Sequence, residues 1–260
     1  MIITLTTDFG TRDHFVGVMK GVIAGIAPKA TVIDITHEIE PFSIAEGSFT
    51  IAEAWRWFPK KTVHVVVVDP GVGSARRPLL VEAGGHYFIG PDNGVFSPIL
   101  AREAKARVRL LKTAKYFHPA VSQTFHGRDI FAPAAAHLAA GVRPAALGPL
   151  VTDPVRTRLD LPERTSTRTW NGAVLKVDRF GNLITNYHVS DFPDILRRPI
   201  SMLAGIHPVD YLVKSYAEAP EGEPVAIVGS SGYLEVVVNQ GSAAKLLGCG
   251  VGTPVELNLH

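Results

Sequence analysis

The 260-residue sequence has one cysteine, Cys249, which excludes an internal disulfide and any cysteine-rich metal site and fits a reducing compartment. It has no block of five or six like charges and a net charge of only +2, so the electrostatic footprint of a nucleic-acid binder is missing. No apolar run approaches the ~18 residues of a membrane span, and MIITLTTDFG enters a strand-like stretch with no basic leader or apolar h-region. These absences place the protein in the cytoplasm. The GVG after the valine run 65–68 completes neither G-x-G-x-x-G nor G-x-x-x-x-G-K-[ST], which removes the specific support for a phosphate cradle. The Asp8-Phe9-Gly10 tripeptide is not a kinase signature, because no H-R-D loop precedes residue 8. There is no internal repeat, low-complexity tract or convincing metal-ligand cluster.

What is present suits a large core: 46% of residues are hydrophobic. In the first half, short apolar runs (IITLT, TVIDI, TVHVVVV) alternate with amphipathic stretches (HFVGVMKGVIAGIA, SIAEGSFTIAEAWRWF), the signature of βαβ units and a parallel sheet. Ser43 and Glu46 form an S-x-x-E capping box before the second helix. LLVEAG and HYFIG predict a strand pair turned at Gly84 and Gly85, and GRDIFAPAAAHLAAG predicts an Ala-rich helix closed by Gly141. Pro144, Pro149, Pro154 and Pro162 then mark a change of texture. Beyond it GAVLKVDRFGNLITNYHV, EPVAIVGS, GYLEVVVNQ and GTPVELNLH are strand-like, with one short helix at SAAKLLG. The expected organisation is an α/β N-terminal domain with a mostly parallel sheet (1–155), a linker (156–168) and a smaller all-β C-terminal domain (169–260).

Several residues stand where chemistry is placed. Asp69 ends a buried strand, where open α/β sheets bind ligands, and the Pro70-Gly71 turn brings Arg76 back within reach. The plainer alternative is that Asp69 caps its own turn and Arg76 is solvated. His126 precedes the Ala-rich helix, with Gly127 beside it leaving room for a ligand. Asp8 ends the first strand on the same sheet edge and has the chemistry to accept two hydrogen bonds from a diol such as a ribose; its alternative role is to cap the helix near His14. In the second half Asp178, Phe180 and Asn182 surround a Gly turn, and Ser230, Ser231 and Glu235 surround a hairpin. Hydroxyls and turn N–H groups suit a carboxylate and acidic groups an ammonium, so the two turns together suit an amino-acid moiety.

Taken in order, T-T-D-F-G, V-D-P-G-V-G-S-A-R, G-P-D-N-G-V-F, T-F-H-G-R-D, D-R-F-G-N-L-I-T-N and S-S-G-Y-L-E-V-V-V-N resemble the S-adenosyl-L-methionine hydroxide adenosyltransferases. These are adenosine-forming hydrolases related to the fluorinating and chlorinating enzymes. The resemblance covers nearly the whole chain. It implies a C-terminal β-barrel and a homotrimer with each site between one subunit's N-terminal domain and its neighbour's C-terminal domain. By motif it assigns Asp69, Arg76 and His126 to a water-activating triad and Asp8 to the ribose hydroxyls. Asp178, Asn182, Ser230, Ser231 and Glu235 fall where the methionine end or adenine edge is held, the Val238 backbone falls where adenine is read, and Phe42, Phe125 and Tyr216 are flanking aromatics. The halogenating relatives carry Tyr and Thr in place of Asp69 and Val72 and an extra loop that KTAKYFHPAVSQTFHG is too short to contain, which favours water as nucleophile.

The implied reaction is hydrolysis of S-adenosyl-L-methionine to adenosine and L-methionine, with no cofactor or metal. The partners implied are the small-molecule substrate and two further copies of the chain, with no nucleic acid and no membrane. Two alternatives stand beside it: a non-catalytic adenosyl-binding sensor, and a halogenase of the same fold.

Overall fold

The computed structural model describes residues 1–157 and 161–260. The chain forms two compact units, Met1–Leu159 and Asp160–His260. The expected linker, 156–168, includes residues 158–160, which lie outside the described residues.

The first unit holds strands β1 (Ile2–Thr7), β2 (Thr31–Thr36), β3 (Val63–Val67), β4 (Pro78–Ala83), β5 (His86–Pro91), β6 (Arg107–Leu110) and β7 (Leu150–Val151). Its helices are α1 (Phe15–Ile26), α2 (Ile44–Ala54), α3 (Ser97–Arg102), α4 (Ala132–Ala139) and α5 (Pro144–Leu147). The sheet order is β2-β1-β3-β5-β4-β6-β7. The first four strands in that order are mutually parallel, but β4, β6 and β7 pair antiparallel. The sheet is therefore mixed, which corrects the mostly parallel sheet expected from the sequence. The reversal begins at the hairpin turn Gly84-Gly85, where both residues have positive φ.

Strand β3 is buried on both faces, as its unbroken apolar run requires. Val65 and Val67 pack with Ile3, Leu5 and Met19 and with Phe131 and Ala135, on the side of α1 and α4. Val66 packs with Ile51, Trp55 and Phe88 on the opposite side, with α2 and α3. Ser43 caps α2 by accepting from the Glu46 N–H (3.3 Å), but the Glu46 carboxylate takes the Glu40 N–H (2.9 Å) and not that of Ser43, so the capping box closes on the preceding loop. The Ala-rich helix is α4, and it is preceded by one π turn over Gly127–Phe131. Pro133 has no N–H to give the Asp129 carbonyl. That carbonyl instead accepts from the His118 N–H at 2.8 Å.

The second unit holds β8 (Glu163–Arg164), β9 (Thr169–Val177), β10 (Leu183–His188), β11 (Ile200–Ala204), β12 (His207–Val209), β13 (Leu212–Val213), β14 (Pro224–Val228), β15 (Tyr233–Val238) and β16 (Pro254–Leu259), with α6 at Ala243–Leu247. The order is β12-β11-β16-β9-β10-β15-β14-β13, with β8 added against β9. Of the strand pairs in this unit, β13 with β14 is parallel, and an isolated parallel bridge joins Glu221 to Asn239. The sheet curls as a half-barrel around Val174, Leu183, Tyr187, Leu234, Val236 and Leu257. Strand β9 makes the curl: Thr169–Ala173 pair with β16, whereas Val174–Val177 pair with β10. At the bend a Cβ on Gly172 would stand 2.2 Å from Asn186 Oδ1 and 2.7 Å from the Tyr187 ring, so only glycine fits. No helix among the described residues is long and apolar enough to cross a membrane.

Candidate functional site

Alternation along β3 decides where Asp69 points. Val65 and Val67 face α1 and α4, and Asp69, two residues on, follows the same face past the strand end. There a cavity of about 310 Å³ is lined by Asp8, Phe9, Phe15, Phe42, Asp69, Val72, Thr124, Phe125 and His126, among others. The turn after Asp69 is tight: the Val72 N–H bonds to the Asp69 carbonyl at 3.1 Å, and Ser74 Oγ donates to the Gly71 carbonyl at 2.6 Å and accepts from the Arg76 N–H at 3.2 Å. Gly73, at φ +76°, lies so near the next loop that a Cβ would stand 2.3 Å from the Gln123 carbonyl oxygen. That close approach brings the turn against the residues leading to His126.

The result is a three-membered cluster. Arg76 Nε donates to both oxygens of Asp69 at 2.9 Å, and Nη2 bonds to Asp69 Oδ2 as well. Nη2 also lies 2.7 Å from His126 Nδ1. Arginine has no acceptor, so Nδ1 must accept, and the neutral ring carries its proton on Nε2. Burial, reinforced by the Arg76 charge, holds the His126 pKa below its ordinary value, which keeps the imidazole neutral near neutral pH. The Asp69 and Arg76 side chains are 5% and 9% exposed, a depth at which both a carboxylate and a guanidinium require partners. The Arg76 carbon also sits 5.2 Å from the Phe131 ring centre.

Asp8 lines the same cavity but does not cap α1, whose first turn receives no side-chain cap. Its Oδ2 accepts from the Phe42 N–H at 2.9 Å. Burial raises the Asp8 pKa, against the pull of that N–H. Phe42 holds φ at +68°, a left-handed conformation rare for an aromatic residue, and at 72% exposure it stands at the cavity rim. His37 braces the Asp8 turn from behind: its Nδ1 lies 2.9 Å from Thr7 Oγ1, and its carbonyl accepts the Gly10 N–H at 2.8 Å.

In the second unit, Asp178 Oδ1 accepts from the N–H groups of Phe180 and Asn182, both at 2.9 Å, around Gly181 at φ +87°. Asn182 Nδ2 donates to Asp178 Oδ2 (2.9 Å) and to the Tyr216 hydroxyl (3.2 Å). A second cavity, of about 480 Å³, is lined by Phe180, Asn182, Tyr216, Val238, Asn239, Gln240 and Gly241. Glu235 is buried on β15, and its carboxylate covers Gly229, where a Cβ would stand 1.7 Å from Oε1. Burial, and then the Asp178 charge, raises the Glu235 pKa. Ser230 and Ser231 form the tip of the β14–β15 hairpin, closed by the Gly232 N–H to the Gly229 carbonyl at 2.9 Å.

Residues 3–148 match the SAM hydroxide adenosyltransferase N-terminal domain, and residues 172–256 match the C-terminal domain of the same family. The chain belongs to the SAM hydroxide adenosyltransferase family. Relatives of this chain include an (R)-S-adenosyl-L-methionine hydrolase of Thermus thermophilus, 40% identical over 96% of this chain and 97% of that protein. One of Methanocaldococcus jannaschii is 35% identical over 95% of this chain and 91% of the other. A fluorinase of Actinoplanes is 28% identical over 92% and 91%. Among solved structures, an uncharacterised conserved protein of Thermotoga maritima superposes with a TM-score of 0.93 at 35% identity, covering 99% of this chain and all of that one.

The structure gathers Asp69, Arg76, His126 and Asp8 around one cavity. It gathers Asp178, Asn182, Tyr216 and Val238 at another. Motif reading gave no role to Phe9, Phe15 and Thr124, which line the cavity, or to His37, which acts on the Asp8 turn through Thr7. A histidine that directly follows β2 gives no local sign of that role.

Proposed function

We propose that the chain hydrolyses S-adenosyl-L-methionine to adenosine and L-methionine. The observation that carries this reading is the Asp69–Arg76–His126 cluster in the wall of a cavity that also presents Asp8. Water attacks the ribose C5′, a C–O bond forms as the C5′–S bond breaks, and sulfur leaves with the electron pair as a neutral thioether. That leaving group needs no acid to protonate it, so neither a metal nor a cofactor has a task in the step.

Arg76 grips both Asp69 oxygens and fixes the carboxylate, which orients and polarises the water and is the acceptor for its proton. His126, with Nδ1 occupied by Arg76, offers Nε2–H and so donates to the attacking oxygen as negative charge builds on it. Asp8 is assigned to the ribose hydroxyls, with Phe42 stacking at the rim. In the second unit Asp178, Asn182, Ser230, Ser231, Glu235 and the Val238 backbone are assigned to the methionine end and the adenine edge. We also propose a homotrimer in the cytoplasm, in which each N-terminal unit meets a neighbour's C-terminal unit. The names of the relatives support hydrolysis over halogenation, and identity is higher to the hydrolases than to the fluorinases.

Incubating the protein with S-adenosyl-L-methionine and resolving the products by chromatography tests the reading. Adenosine and methionine in equal amounts are expected; binding without product would establish the sensor, and a 5′-halo-adenosine formed with chloride or fluoride would establish the halogenase. Light scattering that gives a stable monomer would overturn the trimer.

A further inference from the structure

The loop that carries Asp69 and Arg76 runs from Val68 to Arg77, between the end of β3 and the start of β4. Its internal backbone–backbone bonds, Val72 to Asp69 and Ser74 to Gly71, span only three residues each and shape the turn without anchoring its ends. The anchors come from the G-P-D-N-G segment, residues 90–94, which ends β5 and runs past it. The parallel ladder between β3 and β5 reaches only Val65 with Ile89. Past it, Asn93 Nδ2 donates to the Val68 carbonyl at 2.9 Å, a side-chain donor standing in for a ladder N–H one residue before Asp69. Asn93 Oδ1 accepts from the Val95 N–H at 3.2 Å, which fixes the orientation of the amide.

The other end of the loop is held by the neighbouring residue. The Asp92 N–H donates to the Arg77 carbonyl at 2.8 Å, and Asp92 Oδ2 accepts from Arg77 Nε at 2.7 Å. The Asp92 side chain is 2% exposed, and its remaining oxygen takes the Val155 N–H at 2.7 Å, so neither oxygen is free to move. Gly90 makes the approach possible, because a Cβ there would stand 2.4 Å from the Val66 carbonyl oxygen. Two consecutive residues thus grip the chain immediately before Asp69 and immediately after Arg76.

We propose that Asn93 and Asp92 are positioning residues, which set the Asp69–Arg76 geometry by tethering both ends of its loop. The inference rests on the reading of that pair as water-activating. Displacement of a reacting group by about 1 Å costs on the order of 100-fold in rate, so loss of a tether falls on kcat and leaves KM near its parent value.

Asn93→Asp isolates the contact: it keeps the acceptor for Val95 and deletes the donor to Val68. We expect kcat to fall about 10- to 100-fold with KM unchanged. The Arg76 Nε–H proton signal in a 15N-labelled sample, sharp in the parent because it bridges both Asp69 oxygens, is expected to shift or broaden. Asp92→Asn, which keeps an acceptor for Val155 and weakens the grip on Arg77, is expected to do the same and decides the matter if the Asn93 variant does not fold. Parent turnover and an unmoved Arg76 signal in a folded variant would overturn the inference. A parent protein that yields no adenosine would overturn the catalytic reading instead, while the Arg76 signal still reports on the tether.

Discussion

Acid should destabilise this protein through His64, a residue remote from the proposed chemistry. His64 is fully buried on the α2 and α3 side of the sheet, with Nδ1 2.8 Å from Thr4 Oγ1, Nε2 3.2 Å from His86 Nδ1, and its ring stacked on Phe88 at 5.0 Å. Burial first, and the neighbouring His86 second, push its pKa from 6.5 down to about 3. Between those values the unfolded chain binds a proton that the folded chain refuses, so the contribution is fully present above pH 6.5 and is lost as pH falls toward 3. One proton is worth about 1.4 kcal/mol per pH unit, so two units below 6.5 remove about 2.7 kcal/mol, a large share of the ~5–15 kcal/mol that holds a domain together. His86 is shifted the same way, by burial and then by Lys60, and steepens the loss. His64→Phe keeps the stacking on Phe88 and removes the titration. Urea midpoints followed by tryptophan fluorescence from about pH 7 to about pH 4.5 should fall less steeply in the variant, by about one proton's worth of slope. Parallel loss of stability in parent and variant would refute the assignment.

Three further outcomes are open to measurement. Asp69→Ala and His126→Ala should each lower kcat by about 10²- to 10⁴-fold while substrate binding, followed by calorimetry, persists; parent rates in both would end the triad reading. Gly73→Ala combines a strained φ with a 2.3 Å clash against the Gln123 carbonyl. It should cost about 1–3 kcal/mol locally and slow turnover more than it lowers the unfolding temperature, and an unchanged rate would contradict the packing of the two loops. Phe42→Gly relieves the left-handed strain and removes the ring from the cavity rim. The unfolding temperature should rise slightly while KM rises, and a KM equal to the parent's would show that the ring does not meet the substrate.

Much of this was legible because it was local. The strand that ends at Asp69, the turn that returns Arg76, the hairpin at Gly84-Gly85, and the capped ends of α2 and α6 are each encoded within a few residues. The sheet's direction beyond β4 was not, because β6 and β7 are four and two residues long and their pairing is chosen by partners far along the chain. The π turn escaped notice although Pro133 announced a missing donor, since the compensating His118 N–H lies on a separate loop. The Asp8–Phe42 contact spans 34 residues, and its signature, an aromatic at positive φ, exists only in three dimensions. The G-P-D-N-G motif was visible as a motif, but nothing in its letters says that its two polar side chains face opposite ends of one loop.

The placement of β16 bears on how the protein is made. All strands of the first unit lie within residues 2–151, so its sheet can close while synthesis continues. In the second unit β16 sits between β11 and β9, inside the sheet, and pairs Leu257 with Trp170. Until residues 254–259 leave the ribosome, β9 and β11 present unpaired backbone edges to the surrounding solution. The second unit therefore passes through a nascent state open to chaperones and to mispairing, and that interval closes only when its last strand arrives.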